Sequence, residues 1–176
     1  MNILKIFKFI ICISLLFLCF SCVTDNPIYT ANASDETNLF FLRPTQIDIK
    51  NNNLRYIDFD ITVHVKENKL VRNPIFNCTY CVPIKESRNI ENFLVQIIND
   101  EIILSPQNKK QLVKNIIKEK YLEIRYSYEL DTDEFYSFLQ KENSAKIKIT
   151  YSDGSFDFFE SEEFNQKIDN LRLLIL

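Results

Sequence analysis

The chain has 176 residues and a formal net charge of −3, with one glycine, Gly154, and one histidine, His64. Phosphate-cradling loops need several glycines so that the backbone can close on the ligand, so a Rossmann fingerprint and a P-loop are both excluded, and with them the common nucleotide-dependent chemistries. The acidic balance disfavours nucleic acid and heparin-like polyanions, which require a clustered basic face.

Residues 1–22 read as an export signal that ends at a lipid-attachment cysteine. Lys5 and Lys8 supply the positive start, residues 9–20 a nearly unbroken apolar run, and Ser21 a small residue just before Cys22. That run is shorter than the roughly 20 residues a membrane-spanning helix needs. The usual lipid-attachment box has Leu three places before the cysteine and small residues at the next two; here Cys19, Phe20 and Ser21 occupy those places, with Leu18 one step further out. The match is loose, and Cys19 is the weaker alternative attachment site. On this reading Cys12 and Cys19 are discarded with residues 1–21. Cleavage also removes Lys5 and Lys8, which leaves 19 basic residues against 24 acidic ones and a net charge of −5. At about 0.8 kcal/mol per buried CH₂, the acyl chains on Cys22 would hold the protein on a membrane without spanning it.

Residues 22–38 are polar and short-sided, without an apolar period, and read as a flexible tether with a reach of roughly 20 to 25 Å. Residues 39–176 then form a single globular domain. Strands are expected at 39–43 and 46–50, followed by a turn at Asn51-Asn52-Asn53. Ile57, Phe59, Ile61, Val63 and Val65 alternate with Asp58, Asp60, Thr62, His64 and Lys66, which makes a strand with one buried face. The run 74–84 is bounded by prolines, which places it near a sheet edge.

The apolar period then changes. Ile90, Phe93, Leu94, Ile97 and Ile98 recur at helical spacing, and Leu112, Val113, Ile116 and Ile117 form a second stripe after Ser105-Pro106, so two helices are expected here. Strand alternation returns from Leu122 to Leu130, and a short helix over 133–141 buries Phe135, Phe138 and Leu139. Runs 145–151 and 156–159 flank Ser152-Asp153-Gly154-Ser155 and predict a hairpin. A closing amphipathic helix carries Phe164, Ile168 and Leu171, and the tail 173–176 should be buried. With six or seven strands in all, the fold class is α+β: a mostly antiparallel twisted sheet or small sandwich covered by helices.

Few residues suggest chemistry. Cys78-Thr79-Tyr80-Cys81 is a lone C-x-x-C; Val82 and Pro83 follow it and no helix start is evident, whereas a redox pair normally opens a helix. A structural role is favoured, either a disulfide between Cys78 and Cys81 across a tight turn or two partly buried thiols, with a thiol-redox use as the alternative. A zinc site would need two further ligands, so no metal is assigned. His64 shares a face with Asp58, Asp60 and Thr62, an arrangement that a solvated strand face explains. Asp131 with Asp133, and Glu162 with Glu163, sit at helix starts where acids offset the macrodipole. Tyr121, Tyr126, Tyr128, Tyr136 and Tyr151 read as core and rim residues.

The lipid signal ending at Cys22, the polar stretch after it, and the segment FFLRPTQIDIKNNNLRYIDFDITVHV from Phe40 to Val65 together resemble small surface-antigen lipoproteins of Borrelia spirochaetes. The resemblance implies an outer-membrane lipoprotein, displayed at the cell surface and immunogenic, and brings no catalytic residues. The function expected is that of a membrane-anchored, non-enzymatic surface antigen or protein-binding module with no cofactor, whose partners are the membrane and a host or envelope protein. The rival is a periplasm-facing subunit of an envelope assembly.

Overall fold

The computed structural model of the protein describes residues 27–33, 36–49, 55–89, 93–141 and 144–176; the leader, Cys22 and the turn at 51–53 lie outside the described residues. In chain order the strands are β1 (Ile28–Asn32), β2 (Asn38–Leu42), β3 (Thr45–Asp48), β4 (Tyr56–Lys66), β5 (Lys69–Leu70), β6 (Ile75–Pro83), β7 (Leu94–Ile98), β8 (Ile103–Leu104), β9 (Gln107–Ile117), β10 (Tyr121–Glu129), β11 (Lys146–Thr150) and β12 (Phe156–Glu160). The α-helices are α1 (Thr132–Leu139) and α2 (Glu162–Ile175), and a 3-10 helix spans Ile84–Asn89. The larger sheet runs β1-β2-β4-β6-β10-β9, with β3 and β5 also pairing β4, and the smaller runs β12-β11-β7-β8. Every pairing is antiparallel, and both sheets are open. The α+β class with mostly antiparallel sheet therefore holds, with twelve strands among the described residues where six or seven were expected.

The alternation in β4 buries Ile57, Phe59, Ile61, Val63 and Val65 as the sequence demands. Phe59 stacks on Phe76 at 5.8 Å between ring centroids and meets Phe164 of α2 at 6.1 Å. Residues of both sheets and both helices join these in one buried cluster. Asp131 caps α1 by accepting from the amides of Asp133 and Glu134, and Ser161 caps α2 by accepting from that of Phe164. In the β11–β12 hairpin Gly154 sits at φ +83°, and Asp153 accepts from the amide and hydroxyl of Ser155.

Five expectations are corrected. The stretch read as a tether contains β1, where buried Ile28 lies opposite Leu42 and the ladder is closed by Arg43 N–H to Pro27 O and Ala33 N–H to Thr37 O. Four of its five side chains are exposed, so it carries no apolar period. The run 74–84 is not an edge: β6 lies between β4 and β10, and its prolines fall at the strand ends, where a missing N–H costs no central ladder bond. The stripe 90–98 contains β7, whose buried residues Val95 and Ile97 alternate with Leu94 and Ile98, and its β-branched side chains suit a pleated strand better than a helix. The stripe after Pro106 is β9, an edge strand paired with β10 and exposed along most of its length; long-range pairing overrides its local period. It carries Lys109, Lys110 and Lys114, and its register against β10 is irregular at two places. Finally, of the tail 173–176 only Ile175 is buried.

β2 and β3 follow one another along β4, β2 opposite 62–65 and β3 opposite 56–59, and the chain breaks between them at Arg43-Pro44. Lys167 of α2, 4% exposed, fills this break. Its Nζ donates to Arg43 O at 3.0 Å, to Pro44 O at 3.1 Å and to Thr45 Oγ1 at 2.9 Å, and meets Glu163 Oε1 at 2.5 Å.

Phe59→Ala should cost about 3–5 kcal/mol in urea unfolding, because a ring packed between two others leaves a cavity that cannot close. Lys167→Met, which keeps the aliphatic stem and removes the donor, should cost about 2–3 kcal/mol by the same measurement.

Candidate functional site

Two sheet faces bear on function. The first is the polar face of the larger sheet, which the alternate residues of β4, β6 and β10 build together. Ladder pairing sets Asp58 opposite Thr79 and Thr79 opposite Arg125, with Asp60 opposite Asn77 beside them. Arg125 donates to Asp60 Oδ2 at 2.5 Å and to Thr79 Oγ1 at 3.0 Å, and Asn77 donates to Asp60 Oδ1 at 2.6 Å. Tyr56 donates to Glu123, and Arg55 pairs with Glu86 at 2.5 Å. Burial, and then the charge of Asp60, push the Asp58 carboxyl above its ordinary value, against the opposing charges of Arg125 and Lys167. Its Oδ1 is buried and accepts no hydrogen bond. His64 lies on the same strand and face as Asp58, Asp60 and Thr62, half-buried, opposite Leu39. The result is a tightly cross-linked polar surface.

The cysteines do not form the disulfide that the sequence allowed. Cys78 and Cys81 stand three residues apart on β6, so their side chains leave opposite faces of one strand. Cys78 lies in the core opposite Phe59 and Tyr126, whereas Cys81 lies opposite Tyr56 and Glu123 on the polar face. Burial raises both thiols, Cys81 to about 11 with the charge of Glu123 adding to the effect, and Cys78 further. A thiol held so high presents almost no thiolate at neutral pH, and the thiolate is the nucleophile of redox exchange.

The second face is the outer side of the smaller sheet. The β11–β12 ladder sets Phe156 opposite Thr150 and Phe158 opposite Lys148, and the β11–β7 ladder sets Leu94 opposite Thr150 and Gln96 opposite Lys148. Ile103 of β8 joins through Ile98. The inner side of these strands buries Val95, Ile97, Leu104, Ile147 and Ile149, so the outer side has no core to cover it. Leu94 is 67% exposed, Ile103 56%, Phe156 54% and Phe158 52%. The two phenylalanines meet edge to face at 5.5 Å, Lys148 stands 4.9 Å over the Phe156 ring, and Lys146 pairs with Glu160 at 2.8 Å. An aromatic and aliphatic centre with a charged rim is the composition of a protein-docking surface.

Sequence reading took 156–159 only as a strand. Three phenylalanines among four positions put aromatic rings on both sides of that strand, which was the available signal that one side is left over. Arg125 gave none, since its partners lie 46 and 65 residues away.

Open grooves mark the described surface. One, of about 500 Å³, is lined by Pro27, Arg43, Pro44 and Lys167 among others. One of about 340 Å³ lies between β1 and the end of α2, and one of about 370 Å³ lies beside Lys85, Lys120 and Tyr121. None of the three is lined by His64, Cys78 or Cys81. Among the described residues no group of three or more His, Cys, Asp or Glu side chains could hold a metal ion, and no helix is long and apolar enough to cross a membrane. No protein-family model matches the chain, and no curated protein or solved structure is found to be similar to it.

An acid whose folded pKa lies above its unfolded value holds its proton more tightly in the folded state, so its ionised form weakens the fold at neutral pH. Asp58→Asn should therefore be more stable than the parent at pH 7. The gap should shrink as pH falls through the raised pKa and vanish near the ordinary value of 3.8, as checked by urea melts across that range. Neither Cys78 nor Cys81 should react with a thiol reagent at pH 7 until the protein is unfolded, a contrast that a colorimetric thiol assay reads directly.

Proposed function

We propose that the chain is a lipid-anchored, non-enzymatic protein-binding module, attached at Cys22 to the outer membrane of a bacterium and displayed there as a surface antigen, in keeping with its resemblance to Borrelia lipoproteins. The observation that carries the binding half of this reading is the exposed Phe156, Phe158, Leu94 and Ile103 patch, in which four large apolar side chains gather on one sheet face. On the same reading α1 and α2 cover the sheets on their shared side, and the patch is the side left open. The anchoring half is supported by the leader and by Ser21-Cys22. A thiol-redox role is disfavoured by thiols that burial holds protonated.

The test uses the full-length protein in its own cells. A photo-crosslinking amino acid in place of Phe158 should trap a protein partner, whereas the same residue in place of Lys118, at the β9–β10 turn, should not; equal trapping at both would overturn the docking face. Phe156→Ser with Phe158→Ser should abolish the crosslink formed from position 94 at a stability cost of about 2–4 kcal/mol, from two half-buried rings and their mutual contact, and circular dichroism should show the domain still folded. Protease added to intact cells should digest a surface-displayed domain and would spare a periplasmic one. Cys22→Ser should yield an uncleaved or soluble protein, and full cleavage with detergent partitioning retained would overturn the anchor.

A further inference from the structure

The last turns of α2 are apolar on more than their buried side. Leu171 and Ile175 enter the core, yet Leu173 is 82% exposed and Leu174 43%. These two leucines, with Asn170, form one wall of the 340 Å³ groove whose other wall is Pro27, Ile28 and Thr30 of the β1 edge. An apolar helix end in water has no energetic reason to stay uncovered, and its position on the molecule says what covers it. Pro27 is five residues after Cys22. At no more than about 3.6 Å per residue, a fully extended chain would hold Pro27 within roughly 18 Å of the anchored cysteine. The exposed leucines therefore lie on the side of the domain that the anchor draws to the lipid. The nearby cations are already engaged, Lys167 by the carbonyls of Arg43 and Pro44 and Arg172 by Asp169 and by the carbonyls of Leu139 and Lys141, so contact there would be apolar and independent of anionic lipid.

We propose that this end of the domain is a membrane-facing foot, with Leu173 and Leu174 seated in the interfacial zone of the same bilayer that carries the Cys22 lipid; the proposal rests on the lipid-anchor reading. The foot fixes the orientation of the domain, and the lipid chains supply the attachment.

The test uses the full-length, processed protein reconstituted into phosphatidylcholine vesicles with and without brominated acyl chains. Leu174→Cys is labelled with a fluorescent maleimide, which the burial of Cys78 and Cys81 directs to the new thiol, and Lys118→Cys gives the reference position. Brominated lipid should quench the label at 174 several-fold more than the label at 118. Equal quenching at the two positions, with the protein still floating with the vesicles, overturns the foot and leaves the anchor standing. A label at 174 that is shielded from water but not quenched points to a second protein surface in the groove and also overturns it. Protein that fails to float overturns the anchor, and the foot with it.

Discussion

One buried ammonium holds the helix and the larger sheet in register. The break between β2 and β3 leaves the carbonyls of Arg43 and Pro44 without strand partners at the place where α2 crosses, and an unpaired buried carbonyl costs about as much as a lost hydrogen bond. Lys167 satisfies both, adds Thr45, and keeps Glu163 at its side, so one side chain closes the sheet defect and fixes α2 above it. The Phe59, Phe76 and Phe164 contacts depend on that placement, because Phe164 is one turn before Lys167 on the same helix. An isolated buried charge would be expensive. This one is tolerable because its donors meet acceptors that the fold would otherwise strand.

The two sheet faces solve opposite problems. On the larger sheet the polar side is tied together by Arg125, Asp60, Thr79 and Asn77 until it offers few unused donors or acceptors. Such a surface is well made for water and poorly made for a partner. On the smaller sheet the outer side carries half-exposed rings and aliphatic groups that no element among the described residues covers. The exposed rings of that side lie on a hairpin whose tip is set by Gly154.

Sequence alone made legible β4 and β10, whose side chains alternate in step with their burial, the β11–β12 hairpin from its Asp-Gly turn, and both capped helices from their caps and apolar stripes. It misled where apolar residues come in adjacent pairs. Leu112-Val113 and Ile116-Ile117 fit a helical stripe, but in β9 each pair places one residue on either side of an edge strand, and only the partner strand β10 decides between the two. β1 was hidden for the converse reason, since a strand that buries only its first residue, Ile28, has no alternation to read. Of the candidate sites, the two cysteines were readable as unsuited to a redox motif from Val82-Pro83, whereas the exposed apolar face required knowing which side of β7, β11 and β12 the core lies on.

The exposed length of β9 has a consequence for crowding. Eleven residues of open strand edge are a template on which a second chain could add. For a domain carried on lipid the hazard grows, because neighbours confined to one plane share an orientation and collide sideways far more often than free molecules do. Lys110 sets a positive charge on that edge, and its two register irregularities spoil the straight row of amides and carbonyls that lateral stacking needs. If the domain is carried on lipid as proposed, such an edge would let it crowd as separate molecules, where a flatter and less charged edge would knit it into a fibrous mat.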